Sequence, residues 1–359
     1  MSRVMLTFVV PTGKVFPLLG SRPTLPAFGD IFDSASIIMA NTTRLFKSFT
    51  RLLFPAMFLV LMAIVAGSIW LVETTARPLK SKYLVTPDKY GQLSSRAAQV
   101  TEETWQNRDG SQSRGWLLRG AENTPAVILL HKFGADRSYV LNLGVKLNES
   151  TNFTVLMPDQ RGHGDNPLVK NASFGGCEAE DLSTAIEFLR NLKTTNQMPL
   201  IGQKNIGIFG VEMGAMVAIA AAAKDPSVKA IALDSVPPDS DSVLKASVVR
   251  RFPFGSFATA KLARLGTYLY YFDGCYQREP VCEIARSVEG RNVMLLAGLD
   301  AQEYQDSTAR LSKCFPQGTR IESKLDLSPS GFSIINASME QSEIYDQRLI
   351  DFFRKSLGN

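Results

Sequence analysis

The chain has 359 residues, 45% of them hydrophobic, with 39 Lys and Arg against 34 Asp and Glu. That length and apolar content sustain a large buried core and exclude an intrinsically disordered chain. The formal net charge is only +5, and no basic block is interleaved with aromatics as a nucleic-acid groove requires, so no nucleic-acid partner is expected.

Residues 1–38 carry four prolines and no sustained hydrophobic period, and residues 1–53 together are expected to form a disordered tail. A start at Met39 would leave a short basic lead, MANTTRLFKSFTR, before an apolar helix, the layout of an anchor or export signal. From Phe54 to Val72 the chain reads FPAMFLVLMAIVAGSIWLV, nineteen residues without a charge. As a helix this run spans about 28 Å, close to the roughly 30 Å hydrocarbon core of a bilayer. The buried-core alternative is weaker, because Arg44, Lys47 and Arg51 precede the run and Arg77, Lys80 and Lys82 follow it. A single-pass signal anchor is therefore expected at 54–72. The basic residues balance, so the side of the membrane rests on Glu73, which favours an extracytoplasmic domain. Residues 73–99 read as a linker.

Beyond it, residues 100–359 alternate apolar β-type runs with helical patterns, which predicts an α/β fold with a largely parallel sheet covered on both faces. A hairpin should open the domain around Asp109-Gly110. Ala126 to Leu130, Thr154 to Met157, Ile206 to Phe209, Ala230 to Leu233 and Val293 to Ala297 should be buried strands. Helices are expected over Glu178 to Leu192 and Met213 to Lys224. Between about 237 and 288 the strand rhythm gives way to an aromatic-rich stretch with RRFPFGSF and YLYYFDGCY, a candidate cap. Its aromatics could grip an apolar ligand or touch lipid headgroups, although packing of the cap is the plainer reading.

Three segments carry the chemistry. Strand Ile206 to Phe209 runs through Gly210-Val211-Glu212-Met213-Gly214 directly into an Ala-rich helix. The two glycines permit close approach of strand and helix, while the central residue is forced into a strained conformation facing a pocket. Upstream, VILLHKFGADR places His131, Lys132 and Phe133 at the end of a strand before Gly134, and PDQRGHGDN ends the next strand. With FGGCEAEDLSTAIEFL, these segments resemble the α/β-hydrolase superfamily, in particular bacterial membrane-associated members related to serine aminopeptidase and dienelactone-hydrolase-like proteins. The resemblance covers about residues 100 to 359. It implies an oxyanion loop formed by His131, Lys132, Phe133 and the residue after the nucleophile, Met213. It also implies that His131 and His163 are structural, that Gly210 and Gly214 shape the turn, and that Asp300 in LLAGLDAQEY stands where the triad acid does.

Against that pattern two members are missing. Glu212 replaces the nucleophilic serine, and no histidine occurs after His163, the loop before the last helix reading SPSGFSIINASMEQ. Removing serine or histidine from a working triad costs on the order of 10⁶-fold in rate. The expected function is therefore a non-catalytic binding or regulatory protein, with a small molecule or a protein as partner. The alternative is an ester, peptide or epoxide hydrolase using Glu212 as nucleophile or base. Glu212 would face the amides of the oxyanion loop and a helix N-terminus, an arrangement that favours an anion. Lys132 either pairs with Glu212 or reaches solvent, and Asp300 is either a triad remnant or a turn cap. The four cysteines lack C-x-x-C spacing and lie far from both histidines, so neither a metal nor a cofactor is expected. A Cys275–Cys282 disulfide is possible, and Cys177 reads as a buried inert thiol.

Overall fold

A computed structural model describes residues 28–358 except 80–82 and 93. The expectation of disorder over 1–27 lies outside the described residues. The chain divides into two compact units, residues 1–62 and residues 63–359.

Helix α1, Phe28–Ala76, begins well inside the stretch expected to be an unstructured tail. Between Gly29 and Pro55 the sequence contains neither glycine nor proline, so nothing interrupts a helix once its first turn has formed. Within α1, Leu53–Ala76 is apolar and long enough to cross a membrane.

In the second unit the last turns of α1 are packed against protein, with Ser68, Val72, Thr75 and Ala76 all buried. The segment expected to be a linker is likewise fastened to the domain. It carries α2, Pro87–Tyr90, while the Tyr83 hydroxyl donates to Asp159 and the Leu84 amide to Ser138. Strands β1, Thr101–Gln106, and β2, Gln112–Leu118, form the expected hairpin around Asp109-Gly110. Then follow β3, Thr124–Leu130, helix α3, Leu141–Thr151, β4, Thr154–Pro158, and helix α4, Cys177–Arg190. Strand β5, Ile201–Val211, leads into α5, Met213–Lys224, and then β6, Val228–Asp234. The cap consists of α6, Ser240–Arg251, α7, Ser256–Tyr270, and α8, Val281–Ala285. Strand β7, Asn292–Gly298, helix α9, Gln302–Leu311, strand β8, Arg320–Leu327, and helix α10, Met339–Leu357, complete the chain.

The eight strands lie in the order β1-β2-β4-β3-β5-β6-β7-β8. The pairs from β4 onward are parallel, and only β1 and β2 run antiparallel to their neighbours. The central strands are apolar on both faces because helices cover both, with α4 and α5 on one side and α3 and α10 on the other. The C-terminal ends of β3, β5, β6 and β7 converge on one edge, and the loops leaving them carry the candidate site.

The cysteines pair differently from the sequence expectation. Cys177 is bonded to Cys275 and Cys282 to Cys314, so neither a Cys275–Cys282 bond nor a free Cys177 thiol exists. Neighbours in sequence were the natural guess, but the fold brings the start of α4 against the cap, with 4.8 Å between the Cys177 and Cys275 Cα atoms.

Candidate active site

Glu212 sits at the sharp turn between β5 and α5 with φ +52° and ψ −112°, a backbone conformation rare for any residue but glycine. The turn is held by its glycines. A Cβ on Gly210 would lie 2.3 Å from the Gly214 carbonyl oxygen, and one on Gly214 would lie 2.8 Å from the carbonyl oxygens of Leu130 and His131. Strand β3 and helix α5 thus touch backbone to backbone beneath Glu212.

The Glu212 carboxylate turns back onto the loop. Its Oε2 accepts hydrogen bonds from the Phe133 amide at 2.8 Å and the Met213 amide at 3.0 Å, and the Tyr304 hydroxyl lies 3.4 Å from Oε1. In a catalytic enzyme of this fold, an amide of the β3 loop and the amide after the nucleophile hold the substrate oxyanion. Here the Phe133 and Met213 amides are both taken by the Glu212 side chain. The carboxyl is buried, and desolvation outweighs the two amides and the charges of Lys132 and Arg250, pushing it above the usual carboxylate range. The anion-favouring environment read from the sequence is therefore present but overridden by burial.

His131 and His163 support the same loop. The His131 Nδ1 lies 2.8 Å from the Lys132 carbonyl, and its Nε2 accepts from the Gln160 amide at 3.1 Å. His163 Nε2 accepts from the Gly134 amide at 2.9 Å while its Nδ1 lies 2.6 Å from the Arg161 carbonyl. Each ring is thus a neutral imidazole that donates through Nδ1. Burial lowers the two to about 4 and about 3 respectively. Neither ring is bonded to Glu212.

The loop between β8 and α10, where the fold would carry a catalytic histidine, is pinned by groups from around the site. Asp300 accepts from the Ser330 amide and hydroxyl, both at 2.9 Å. Asp234, fully buried at the end of β6, accepts from the Gly331 amide at 2.9 Å, the Tyr345 hydroxyl at 2.8 Å and the Ser235 hydroxyl at 2.7 Å. Lys132 neither pairs directly with Glu212 nor points freely to solvent. Its ammonium donates to the Phe332 carbonyl at 2.5 Å and rests 4.1 Å from the centre of the Phe332 ring. Desolvation lowers its pKa below the usual lysine value.

The sequence reading assembled Glu212, Phe133, Met213 and Lys132 around one point, and the geometry does bring them together. Asp234 carries only the local signal of an aspartate ending an apolar strand, and Tyr304 and Phe332 carry none. Two cavities flank the carboxylate without reaching it. One of about 500 Å³ is lined by Tyr90, Tyr139, Lys146, Ile334, Met339 and Tyr345. The other, of about 390 Å³, is lined by Arg77, Leu79, His163, Asn166 and Lys170. Among the described residues no group of His, Cys, Asp and Glu is arranged to hold a metal ion.

Residues 125–295 match the family described as alpha/beta hydrolase fold. The chain is 31% identical over 122 residues to a thiohydrolase of Eupenicillium brefeldianum, covering 34% of this chain and 38% of that protein. It is 30% identical over 123 residues to the polyketide transferase grgF of a Penicillium species, covering 34% and 40%. These matches span less than half the length of either relative. Among solved structures, the Pyrococcus furiosus esterase Pf2001 superposes with a TM-score of 0.57 at 18% identity, over 79% of this chain and 98% of the esterase. GrgF from Penicillium sp. sh18 does so at 0.54 and 16% identity, over 72% and 99%. At such identities the structural likeness establishes the fold. With the strand order, the turn at Glu212 and the family match over residues 125–295 in agreement, the chain has the α/β-hydrolase fold.

Proposed function

We propose that this protein is a membrane-anchored, non-catalytic α/β-hydrolase that acts as a binding or regulatory protein. The observation that carries the reading is the Glu212 carboxylate bonded to both the Phe133 and Met213 amides. A substrate carbonyl has no donor pair left to polarise it, and the loop that would bring a base presents the Phe332 carbonyl to Lys132 instead. A nucleophilic role for Glu212 is disfavoured as well. The two amides that would polarise a substrate carbonyl are held by its Oε2, and an ester formed through Oε1 would have no histidine beside it to activate water. The 500 Å³ cavity, walled by tyrosines, Ile334 and Met339 with Lys146 at its edge, has the size and mixed lining of a small-molecule site. Two disulfides and one apolar helix support a domain exposed on the non-cytosolic side of a membrane.

The test is turnover by the full chain in detergent micelles or vesicles. Acyl esters, acyl thioesters, aminoacyl anilides and epoxides should be left unreacted, and fluorophosphonates should not label the protein. The thioester panel is included because three relatives are named thiohydrolases. Turnover that disappears in Glu212→Gln would overturn the reading in favour of a carboxylate-dependent hydrolase.

A further inference from the structure

We infer that the cap helix α7 is seated in the lipid interface, so that the cap meets the bilayer directly; this rests on the membrane-anchored reading above. The first observation is a register between α1 and the cap. A Cβ on Gly266 of α7 would lie 2.3 Å from the Ser68 carbonyl oxygen and 3.0 Å from Val72, so the two helices cross at backbone contact there. Nearby, the Ser247 hydroxyl donates to the Thr75 carbonyl at 3.2 Å, and the Trp70 and Phe252 rings lie 5.9 Å apart. Arg51 is the last charge before the apolar run. A hydrocarbon core of roughly 30 Å needs about 20 helical residues, which counted from Leu53 end near Val72. The crossing at Ser68 falls short of that limit by about four residues, or roughly 6 Å. A span long enough to cross the membrane therefore carries α7 to the boundary of the apolar layer or slightly below it.

The second observation is what α7 shows on its outer side. Phe257, Lys261, Arg264, Leu265 and Tyr268 recur at intervals of three and four and are exposed, so they share one face. Phe254 before the helix is 93% exposed and Phe272 after it 88% exposed. Large aromatics left this open cost free energy in water unless something covers them. Aromatics mixed with Lys and Arg form the composition of an interfacial helix, apolar rings buried at headgroup depth and cations reaching phosphates. The cations are in reach: Lys261 lies 4.3 Å from the Phe257 ring centre and Arg278 3.8 Å from that of Tyr268.

All described cysteines are disulfide-bonded, so a single introduced cysteine can carry a spin label selectively. The full chain would be reconstituted in vesicles of phosphatidylcholine with one quarter phosphatidylglycerol, labelled in separate samples at Phe58→Cys, Phe257→Cys, Phe272→Cys and Met198→Cys. Met198 precedes β5, at the sheet edge opposite the cap. Labels at 257 and 272 should be relaxed several-fold more by oxygen than by a water-soluble nickel complex, as at 58, while 198 shows the reverse. Water-like labels at 257 and 272 with a lipid-like label at 58 would overturn the interfacial cap and leave the anchor intact. A water-like label at 58 would overturn the anchor and the inference together.

Discussion

The turn at Glu212 and the loop at Ser328 to Ser338 are held in different ways. At the turn a backbone of positive φ is fixed by two glycines, and its own carboxylate is bonded to the amides of Phe133 and Met213. At the loop the backbone itself is bound, by the side chains of Asp234, Asp300 and Lys132. The comparison shows that a strained turn is kept by close backbone contacts, whereas an irregular loop is kept by charged side chains reaching in from its neighbours.

Breaking the turn should have the largest effect. Gly210→Ala forces a Cβ onto the Gly214 carbonyl, with backbone on both sides, and should cost well over about 4 kcal/mol. Chemical denaturation should show no stable folded species. Asp234→Ala leaves the Gly331 amide and the Tyr345 hydroxyl without this acceptor in a buried site and should cost about 3 kcal/mol or more, read as a fall in the denaturation midpoint. Retained stability there would mean that the loop is held from elsewhere.

The histidines give a pH signature. Their folded values are depressed to about 4 and about 3 from an unfolded value near 6.5, so their contribution is complete above pH 6.5 and is lost as pH falls toward 4. Each adds about 1.4 kcal/mol of stability per pH unit in that window. Buried carboxylates such as Asp181, raised to about 6, act in the opposite sense, so the comparison is best made between the native chain and His163→Gln. The variant should show a shallower loss of stability between pH 6.5 and 4, by about one proton.

Glu212→Gln sharpens the picture of the plug. The amide oxygen still accepts from Phe133 and Met213, and a carboxyl raised by burial no longer has to ionise. A raised acid contributes stability below its unfolded value, lost as pH rises through the folded value, so the variant should be more stable than the native chain at pH 8 and no more stable at pH 4. A loss at pH 8 would mean that the ionised carboxylate is itself a stabilising partner of Lys132. Asp300→Ala, on an exposed loop, should be the mildest change, about 1 kcal/mol in the same denaturation assay.

How much of this could be read beforehand follows the range of the forces involved. The strands were legible because a sheet covered on both faces demands apolar runs. The turn was legible because glycine spacing and a strand-to-helix change are local. The missing histidine was legible from composition alone. Lys132 meeting Phe332 joins positions two hundred residues apart, and nothing at either position announces the other. The cysteine partners depend in the same way on how α4 meets the cap. An aspartate after an apolar strand is most often turn chemistry, and the Gly331 and Tyr345 donors of Asp234 come from elements that pack only in the finished fold.

The two disulfides bear on how the cap can move. One ties the cap at Cys275 to the start of α4, and the other ties it at Cys282 to the segment after α9. Seven residues apart in sequence, these two points are fixed to different walls of the body, so the cap's far end cannot swing as a hinged door. What motion the cap keeps is confined to rotation of side chains and small loop displacements until reducing agents open the two bonds.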